Sequence, residues 1–263
     1  MTPTATPTPQ QTANPITYPG SQIPPGVLSP SAPPGTNFNL SLWELQEPVA
    51  GATAGSVNTV TSAQLAAGYT DAYFLTDPSN GAMEFWDPED GVTTTNSSYP
   101  RSELREMTAG GLDANWPVSG TNTLTATVSV LEVPTKVVIG QIHAGTTGTP
   151  ATTLPLLELY YESSGAMYAG VEQSPTASGE DDTQLGTVAL GKAFTYVISL
   201  TGTGASAVLS VSINGTVTKI PFPASFANET MYFKAGDYDQ TPVGTSSTIG
   251  AKVEFFGLAI SHS

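Results

Sequence analysis

Alternation of apolar and polar residues at a period of two is the feature that most constrains this chain. It runs through Thr123–Val133 (TLTATVSVLEV), and segments of strand-like character follow at 136–145, 156–173, 207–222, 230–238 and 252–261. This period places successive side chains on opposite faces of a β-strand. Turn signals separate the segments, the strongest being the Asn214-Gly215 dipeptide, and only 62–68 (SAQLAAG) resembles a helix. The sequence therefore predicts an all-β fold, a two-sheet antiparallel sandwich of the β-jelly-roll type.

Composition divides the chain near residue 36. Residues 1–36 contain no charged side chain and ten of the 22 prolines. A segment of this kind buries too little apolar surface to fold, so we expect a disordered stalk or linker over 1–36. The remainder, 37–263, is expected to be one jelly-roll domain. It is long enough to bury a core without disulfides, and the chain has no cysteine.

The charge balance excludes several classes of partner. The formal net charge is −15 at pH 7, with 22 acidic and seven basic residues. General binding to nucleic acid or to an acidic membrane surface needs a basic footprint, so neither is expected. There is also no apolar run of about 18 residues, the length that a membrane span requires. The stalk and the glycosylation sequons at Asn39, Asn96, Asn214 and Asn228 favour a secreted protein, and nothing demands more than a monomer.

Both arginines of the chain lie in one short segment, SSYPRSELREM at 97–107. If this segment is a strand, Arg101, Glu103 and Arg105 project from the same face. One interpretation is a solvated face with charges of alternating sign. The other is a site for an anionic ligand, which arginine binds through paired hydrogen bonds. The confinement of all arginine to this segment favours the second.

A second segment, VIGQIHAG at 138–145, places Gln141 and His143 on one face and Ile142 on the other. A lone histidine is more often a hydrogen-bonded core residue than a functional one. A metal site is not expected, because there is no cysteine and His262 has no ligand spacing to His143. These two residues alone leave the function open.

A third segment, MYFKAGDYDQ at 231–240, adds two phenols, an ammonium and an amide, namely Tyr232, Lys234, Tyr238 and Gln240. Cationic and amide donors can neutralise a carboxylate, while an imidazole and a phenol can move protons. Removing the hydrogen next to a uronate carboxylate requires both functions. No motif for phosphate or dinucleotide binding is present, and this chemistry needs no cofactor.

The segments YPRSELREM, QIH and YFKAGDYDQ, in this order and spacing, resemble the signature segments of the alginate lyases of polysaccharide lyase family 7. Residues 38–49 and 252–262 resemble the opening and closing strands of that family. The resemblance implies a jelly roll whose concave sheet forms a cleft for an anionic polysaccharide. It also implies an endo-acting alginate lyase that performs metal-free β-elimination and leaves a 4,5-unsaturated sugar.

The resemblance also implies a role for each candidate residue. Arg101 and Gln141 would neutralise the substrate carboxylate, and His143 would be the base for guluronate. Tyr238 would be the acid, and for mannuronate both base and acid. Neighbouring sugars would be bound by Arg105, Tyr232, Lys234 and Gln240, and Glu103 would orient the arginines.

Three further residues bear on these roles. Ile142, in the middle of the Gln-x-His segment, goes with activity on guluronate-containing blocks in the family. Asp239 stands where family members commonly have asparagine, and Asp237 adds a second carboxylate beside Tyr238. Their negative charge is expected to weaken polyanion binding or to make Tyr238 a weaker acid.

Two alternatives stay open at this point. One is a lyase for another polyuronate such as glucuronan, since carboxylate neutralisation and a His/Tyr pair serve any such substrate. The other is a non-catalytic jelly-roll module that binds carbohydrate. A pure binding module has no need of an imidazole and a phenol directed at one sugar, which favours an enzyme.

Overall fold

A computed structural model describes residues 27–95, 97–148 and 152–263 as a sandwich of two antiparallel sheets. The described part of the chain contains sixteen strands and two short α-helices. The helices are α1 (Pro34–Asn37) and α2 (Ser62–Ala66). The strands are β1 (Trp43–Ala50), β2 (Val57–Val60), β3 (Phe74–Thr76), β4 (Met83–Pro88), β5 (Ser102–Glu106), β6 (Trp116–Pro117), β7 (Thr121–Glu132), β8 (Lys136–Ala144), β9 (Pro155–Glu162), β10 (Ala166–Glu172), β11 (Glu180–Thr187), β12 (Phe194–Thr201), β13 (Val208–Ile213), β14 (Thr216–Ile220), β15 (Thr230–Asp239) and β16 (Gly250–His262). The all-β jelly roll predicted from the alternating segments is confirmed.

The two sheets differ in size, and the larger one contains the three segments singled out in the sequence. The larger has nine strands in the order β11-β10-β9-β8-β15-β5-β1-β2, with β6 pairing to β15. The smaller has seven strands in the order β14-β13-β12-β7-β16-β4-β3. The three segments singled out in the sequence form β5, β8 and β15. Because β15 pairs with both β5 and β8, these distant segments are neighbours at the middle of the larger sheet.

Local sequence explains the turn between β13 and β14 and the start of helix α2. Asn214 and Gly215 join β13 to β14 with φ values of 50° and 84°. Both angles are positive, as a two-residue hairpin turn matching the strand twist requires. The predicted helix at 62–68 is α2, which begins with a capping box. Thr61 accepts the backbone N–H of Gln64, whose side chain in turn accepts the N–H of Thr61.

Ordered structure begins ahead of the boundary expected at residue 36. Leu28 packs against the core, and Pro34 starts α1 at a position where its missing N–H is not needed. The side chain of Asn37 accepts the N–H of Ser29 and donates to its carbonyl, each at 2.9 Å. These contacts place residues 28–36 in the folded domain. The rest of the predicted stalk, residues 1–26, lies outside the described residues.

The core lies between the two sheets. Leu104, Ile142 and Phe233, one from each of the three site strands, are fully buried in it. The Tyr196 hydroxyl of the smaller sheet donates to the carbonyl of Ile139 in the larger sheet at 2.7 Å. Strand periodicity therefore turns the alternate residues of β5, β8 and β15 towards the outer face of the larger sheet. Among the described residues, no helix is long and apolar enough to cross a membrane.

Candidate active site

One row of polar side chains crosses five adjacent strands of the larger sheet. The register pairs Glu44 with Arg105, Arg105 with Lys234, Lys234 with Gln141, and Gln141 with Glu158. Residues that lie opposite one another in neighbouring strands project from the same face. The sheet thus assembles two cations and an amide between two carboxylates.

The charged face of β5 is shielded from water. The side chains of Arg101, Glu103 and Arg105 are 11%, 0% and 7% exposed. The first interpretation of this segment, a solvated face with charges of alternating sign, is therefore wrong. Removal from water strengthens the electrostatic interactions of these groups.

Glu103 contacts three of the candidate residues through its buried carboxylate. Its Oε1 accepts from Gln141 Nε2 at 2.6 Å, and its Oε2 contacts Lys234 Nζ and lies 3.5 Å from Arg101 Nη1. Burial and the nearby Arg101 charge lower the pKa of Lys234 to about 8, against the opposing effect of Glu103. The expectation that Glu103 orients both arginines matches only its contact with Arg101. Arg105 instead pairs with Asp113, at 3.0 Å.

His143 is held as a neutral imidazole. Its Nδ1 lies 2.9 Å from the carbonyl oxygen of Ala144. A carbonyl can only accept, so Nδ1 carries the proton and Nε2 keeps its lone pair. Burial, together with the charges of Lys234, Arg101 and Arg105, lowers the pKa of His143 to about 3.

Tyr232 lies between the imidazole of His143 and the guanidinium of Arg105. Its ring stacks on His143 with centroids 4.9 Å apart and planes 25° apart. The guanidinium carbon of Arg105 lies 4.1 Å from the Tyr232 ring centroid. The stacked Tyr232 ring holds the plane of the His143 imidazole and so sets the direction of Nε2.

Tyr238 is held by the segment that carries the first arginine. The Arg101 guanidinium lies over its ring at 3.9 Å, and the Tyr99 ring packs nearly perpendicular to it, with centroids 6.3 Å apart and planes 73° apart. Its hydroxyl lies 3.0 Å from Ser97 Oγ. A bulge after Ala235 directs this part of β15. Gly236 makes it possible, because at φ 150° a Cβ there would lie 2.8 Å from the backbone of β5.

The structure brings four of the predicted residues to one cavity of about 370 Å³, whose lining includes Arg101, Gln141, His143 and Tyr238. Three more, Arg105, Tyr232 and Lys234, continue the same face along β5 and β15. Gln240 lies outside this lining, just after β15, with its Nε2 3.5 Å from the carbonyl oxygen of Tyr238.

The opposite side of the cavity carries an acidic wall that the sequence interpretation missed, formed by Glu158, Glu172 and Glu180. The Tyr160 hydroxyl donates to Glu158 at 2.6 Å and lies 3.2 Å from both oxygens of Glu180. Burial, with the neighbouring Glu180 charge, raises the pKa of Glu158 to about 8. Strand parity in LLELYYE would have placed Glu158 and Tyr160 on one face, but not beside His143.

The carboxylates on either side of Tyr238 do not enter the cleft. Asp237 and Asp239 are fully buried on the inner face of β15, near Asp87 of the smaller sheet. The N–H of Asp239 donates to Asp87 at 3.0 Å. Burial raises the pKa of all three carboxyl groups. The expectation that their charge repels a polyanion in the cleft is therefore not supported by their position.

Two other polar clusters lie away from the cleft. Ligand atoms of Asp77, Glu84 and Glu254 lie within 4.8 Å of one another, a spacing that suits a metal ion, at the smaller sheet. His262, the second histidine, contacts Glu106 and Asn122 at 2.8 Å each. These contacts hold the end of β16 against β5 and β7, and they lie outside the candidate site.

Comparison with known proteins identifies the family. A family model described as alginate lyase matches residues 38–262. An alginate lyase of Klebsiella pneumoniae is 30% identical over 282 aligned residues, which cover 87% of this chain and 91% of that protein. The crystal structure of alginate lyase A1-II', a member of polysaccharide lyase family 7, superposes with a TM-score of 0.76. It is 36% identical and covers 88% of this chain and 99% of its own.

Two further structures extend the likeness. Alginate lyase PA1167 from Pseudomonas aeruginosa is 34% identical with a TM-score of 0.75, over 85% of this chain and 99% of its own. A variant of A1-II', with one histidine changed to asparagine and one tyrosine to phenylalanine, was solved in complex with substrate (GGMG). It superposes with a TM-score of 0.76 at 36% identity and covers 89% of this chain and 97% of its own. The fold, the cavity lined by the candidate residues and these matches lead to one conclusion: the chain belongs to the alginate lyase family and is a polysaccharide lyase.

Proposed function

We propose that the enzyme cleaves alginate internally by β-elimination, with a preference for guluronate-containing blocks. The observation that carries this proposal is a neutral imidazole and a phenol, His143 and Tyr238, lining one cavity with Arg101 and Gln141. The A1-II' variant solved with substrate carries changes of a histidine and a tyrosine, the same residue types.

Neutralisation of the substrate carboxylate is the first requirement. When the proton leaves C-5, negative charge spreads into a group that is already anionic. Arg101 and Gln141 donate hydrogen bonds to this carboxylate, and Lys234, adjacent to Gln141 in the register, adds positive charge. Donors fixed in a buried site stabilise charge that develops in the transition state without reorganising.

Proton transfer then completes the reaction. Nε2 of His143 takes the C-5 proton of guluronate, and the C–H electron pair becomes the C-4 to C-5 double bond. The bond from C-4 to the glycosidic oxygen breaks, and that oxygen takes the hydroxyl proton of Tyr238. Because its pKa is lowered to about 3, His143 is already unprotonated before the substrate binds. In mannuronate the C-5 hydrogen lies on the other ring face, so Tyr238 serves as both base and acid.

The placement of the site within the sheet supports internal cleavage. Polar side chains continue on both sides of the reactive residues, with Arg105 and Tyr232 on one side and Glu158 and Tyr160 on the other. A polysaccharide can therefore extend in both directions from the bond that is cut. Ile142 is buried in the core, as strand parity predicted. It can therefore influence block preference only through packing that sets how far its neighbours Gln141 and His143 project into the cleft. The stalk composition and the sequons support secretion of the enzyme, and nothing in the sequence demands more than a monomer.

Activity on separate polysaccharides tests this function. The ultraviolet absorbance of the unsaturated product is followed with alginate and with glucuronan. We expect product from alginate, whereas product from glucuronan alone would favour the other polyuronate lyase.

Two arginine variants test the division of roles. Arg101→Ala should lower kcat by roughly 10²- to 10³-fold, the loss typical of removing one transition-state donor. Arg105→Ala, the matched control, should act mainly on KM. An Arg101→Ala enzyme that retains a tenth or more of wild-type kcat would contradict the assignment.

A further inference from the structure

The hydroxyl of Tyr238 has a partner that the proposed reaction leaves unexplained. Its Oη lies 3.0 Å from Ser97 Oγ. The same Oγ lies 2.8 Å from the carbonyl oxygen of Tyr99 and 3.1 Å from the Tyr99 nitrogen. Ser97 therefore makes three polar contacts with a single proton of its own.

The direction of each hydrogen bond follows from the chemistry of the partners. The Tyr99 carbonyl can only accept, so it takes the serine proton, and the Tyr99 N–H can only donate, so it donates to the serine oxygen. The remaining contact then has Tyr238 as the donor. In this arrangement the proton of the proposed catalytic acid points towards Ser97.

The segment from Ser97 to Arg101 holds Tyr238 on three sides. Ser97 contacts its hydroxyl, the Tyr99 ring packs nearly perpendicular to its ring, and Arg101 lies over its ring face. Ser97 itself is outside the cavity lining. Its hydrogen bond to the Tyr238 hydroxyl is the contact that connects it to a residue of that lining.

We infer that Ser97 is a positioning residue for Tyr238, one that holds the phenol before proton transfer and stabilises the phenolate after it. The inference rests on the proposed function, in which Tyr238 gives its proton to the glycosidic oxygen. Once that proton has moved, the serine O–H turns from the Tyr99 carbonyl to the phenolate and donates to it. The serine keeps its own proton throughout. The phenolate regains a proton from water, and the proton taken by His143 is returned to water.

This role predicts which kinetic constant changes. A hydrogen bond to a charged group is worth roughly 10- to 100-fold in an equilibrium. Ser97→Ala should therefore lower kcat roughly 10- to 100-fold on both polyguluronate and polymannuronate, because Tyr238 is the acid in both reactions. KM should change less than about twofold, since the bond is made outside the substrate contacts.

The experiment measures kcat and KM of four proteins across a range of pH: wild type, Ser97→Ala, Ser97→Thr and Ser98→Ala. Ser97→Thr keeps the hydroxyl and should restore kcat to within about threefold of wild type. Ser98→Ala, at the exposed neighbour, is the matched control and should behave as wild type. On polymannuronate, where Tyr238 must first lose its proton, Ser97→Ala should also need a higher pH to reach its maximal rate.

Several results would overturn the inference. They are a Ser97→Ala enzyme with at least half of the wild-type kcat, a loss confined to KM, or a threonine variant as impaired as the alanine variant. If Ser97→Ala melts at a lower temperature than wild type, Ser97→Cys takes its place, since a thiol keeps the size but is a weak donor. Its kcat should then fall as predicted for alanine.

Failure of this inference can be told from failure of the proposed function. If the wild-type protein gives no unsaturated product from any block, the proposed function is wrong. If the wild type is active and Tyr238→Phe is inactive while Ser97→Ala is fully active, only the role of Ser97 is wrong.

Discussion

At the scale of single residues, burial sets the chemistry of the site more than residue type does. His143 has an ordinary imidazole, yet burial and three nearby cations lower its pKa to about 3. Lys234 has an ordinary ammonium, yet burial lowers its pKa to about 8. The imidazole is therefore neutral at the pH at which the proposed reaction needs a base.

Asp237 provides a test of burial at the same scale. Both of its carboxylate oxygens are buried without a hydrogen-bond partner, and burial near Asp87 and Asp239 raises its pKa well above the usual value. The folded state therefore keeps the proton to higher pH than the unfolded chain does. The contribution of Asp237 to stability is then greatest at low pH. It is lost, by up to about 1.4 kcal/mol per pH unit, as the pH rises above about 4 towards the folded-state pKa of this group.

Asp237→Asn should remove much of this loss, so the variant should be more stable than wild type at pH 8 and closer to it at pH 5. Urea unfolding at the two pH values measures the difference. Asp181→Asn, at an exposed position of β11, is the control for a change of one charge. Equal pH dependence in wild type and Asp237→Asn would contradict this account of the buried carboxyl group.

At the scale of elements, β15 organises the site because it pairs with β5 on one edge and β8 on the other. Strand parity within each segment was enough to predict that Gln141 and His143 share a face. It could not predict the register of β9 against β8, because that register shifts twice, between Val138 and Gly140 and between Ile142 and His143. Glu158 was missed for this reason. Ser97 was missed because its contact with Tyr238 spans 141 residues of sequence.

The N-terminal boundary gives the prediction at this scale. Leu28 packs on the core and Asn37 holds the backbone of Ser29, so α1 and the residues before it contribute to stability. Deleting residues 1–26 should leave the melting temperature and the activity nearly unchanged, because that segment has little apolar surface to bury. Deleting residues 1–37 should lower the melting temperature by several degrees, as expected for a loss of about 1–2 kcal/mol. Equal melting temperatures for the two truncated proteins would show that residues 27–37 add nothing.

At the scale of the whole molecule, charge is distributed unevenly around the cleft of a strongly acidic protein. Arg101, Arg105 and Lys234 lie at its centre, and the acidic wall lies at one side. The wall contains Glu158, whose pKa is raised to about 8, near the value to which that of Lys234 is lowered. As the pH rises through about 8, Lys234 loses positive charge and Glu158 gains negative charge. Both changes oppose binding of a polyanion.

KM for alginate should therefore rise, by roughly tenfold, between pH 7 and pH 9.5, since about 1.4 kcal/mol of lost attraction corresponds to that factor. Glu158→Gln cannot become charged and should show a smaller rise. Glu132→Gln, which makes the same change at the end of β7 in the smaller sheet, is the control and should follow wild type. A wild-type KM that is constant or falls over this range would contradict the assigned charge states.

The central claim is that His143 and Tyr238 are the base and the acid of one elimination site. Its most direct test is the rate of unsaturated-product formation by wild type, His143→Ala and Tyr238→Phe, on pure polyguluronate and pure polymannuronate. His143→Ala should lose polyguluronate cleavage by roughly 10²- to 10⁴-fold and polymannuronate cleavage much less, because only guluronate needs the imidazole as base. Tyr238→Phe should lose both activities, since the phenol is the proton donor in both. A Tyr238→Phe enzyme that cleaves either block at near the wild-type rate would contradict the claim.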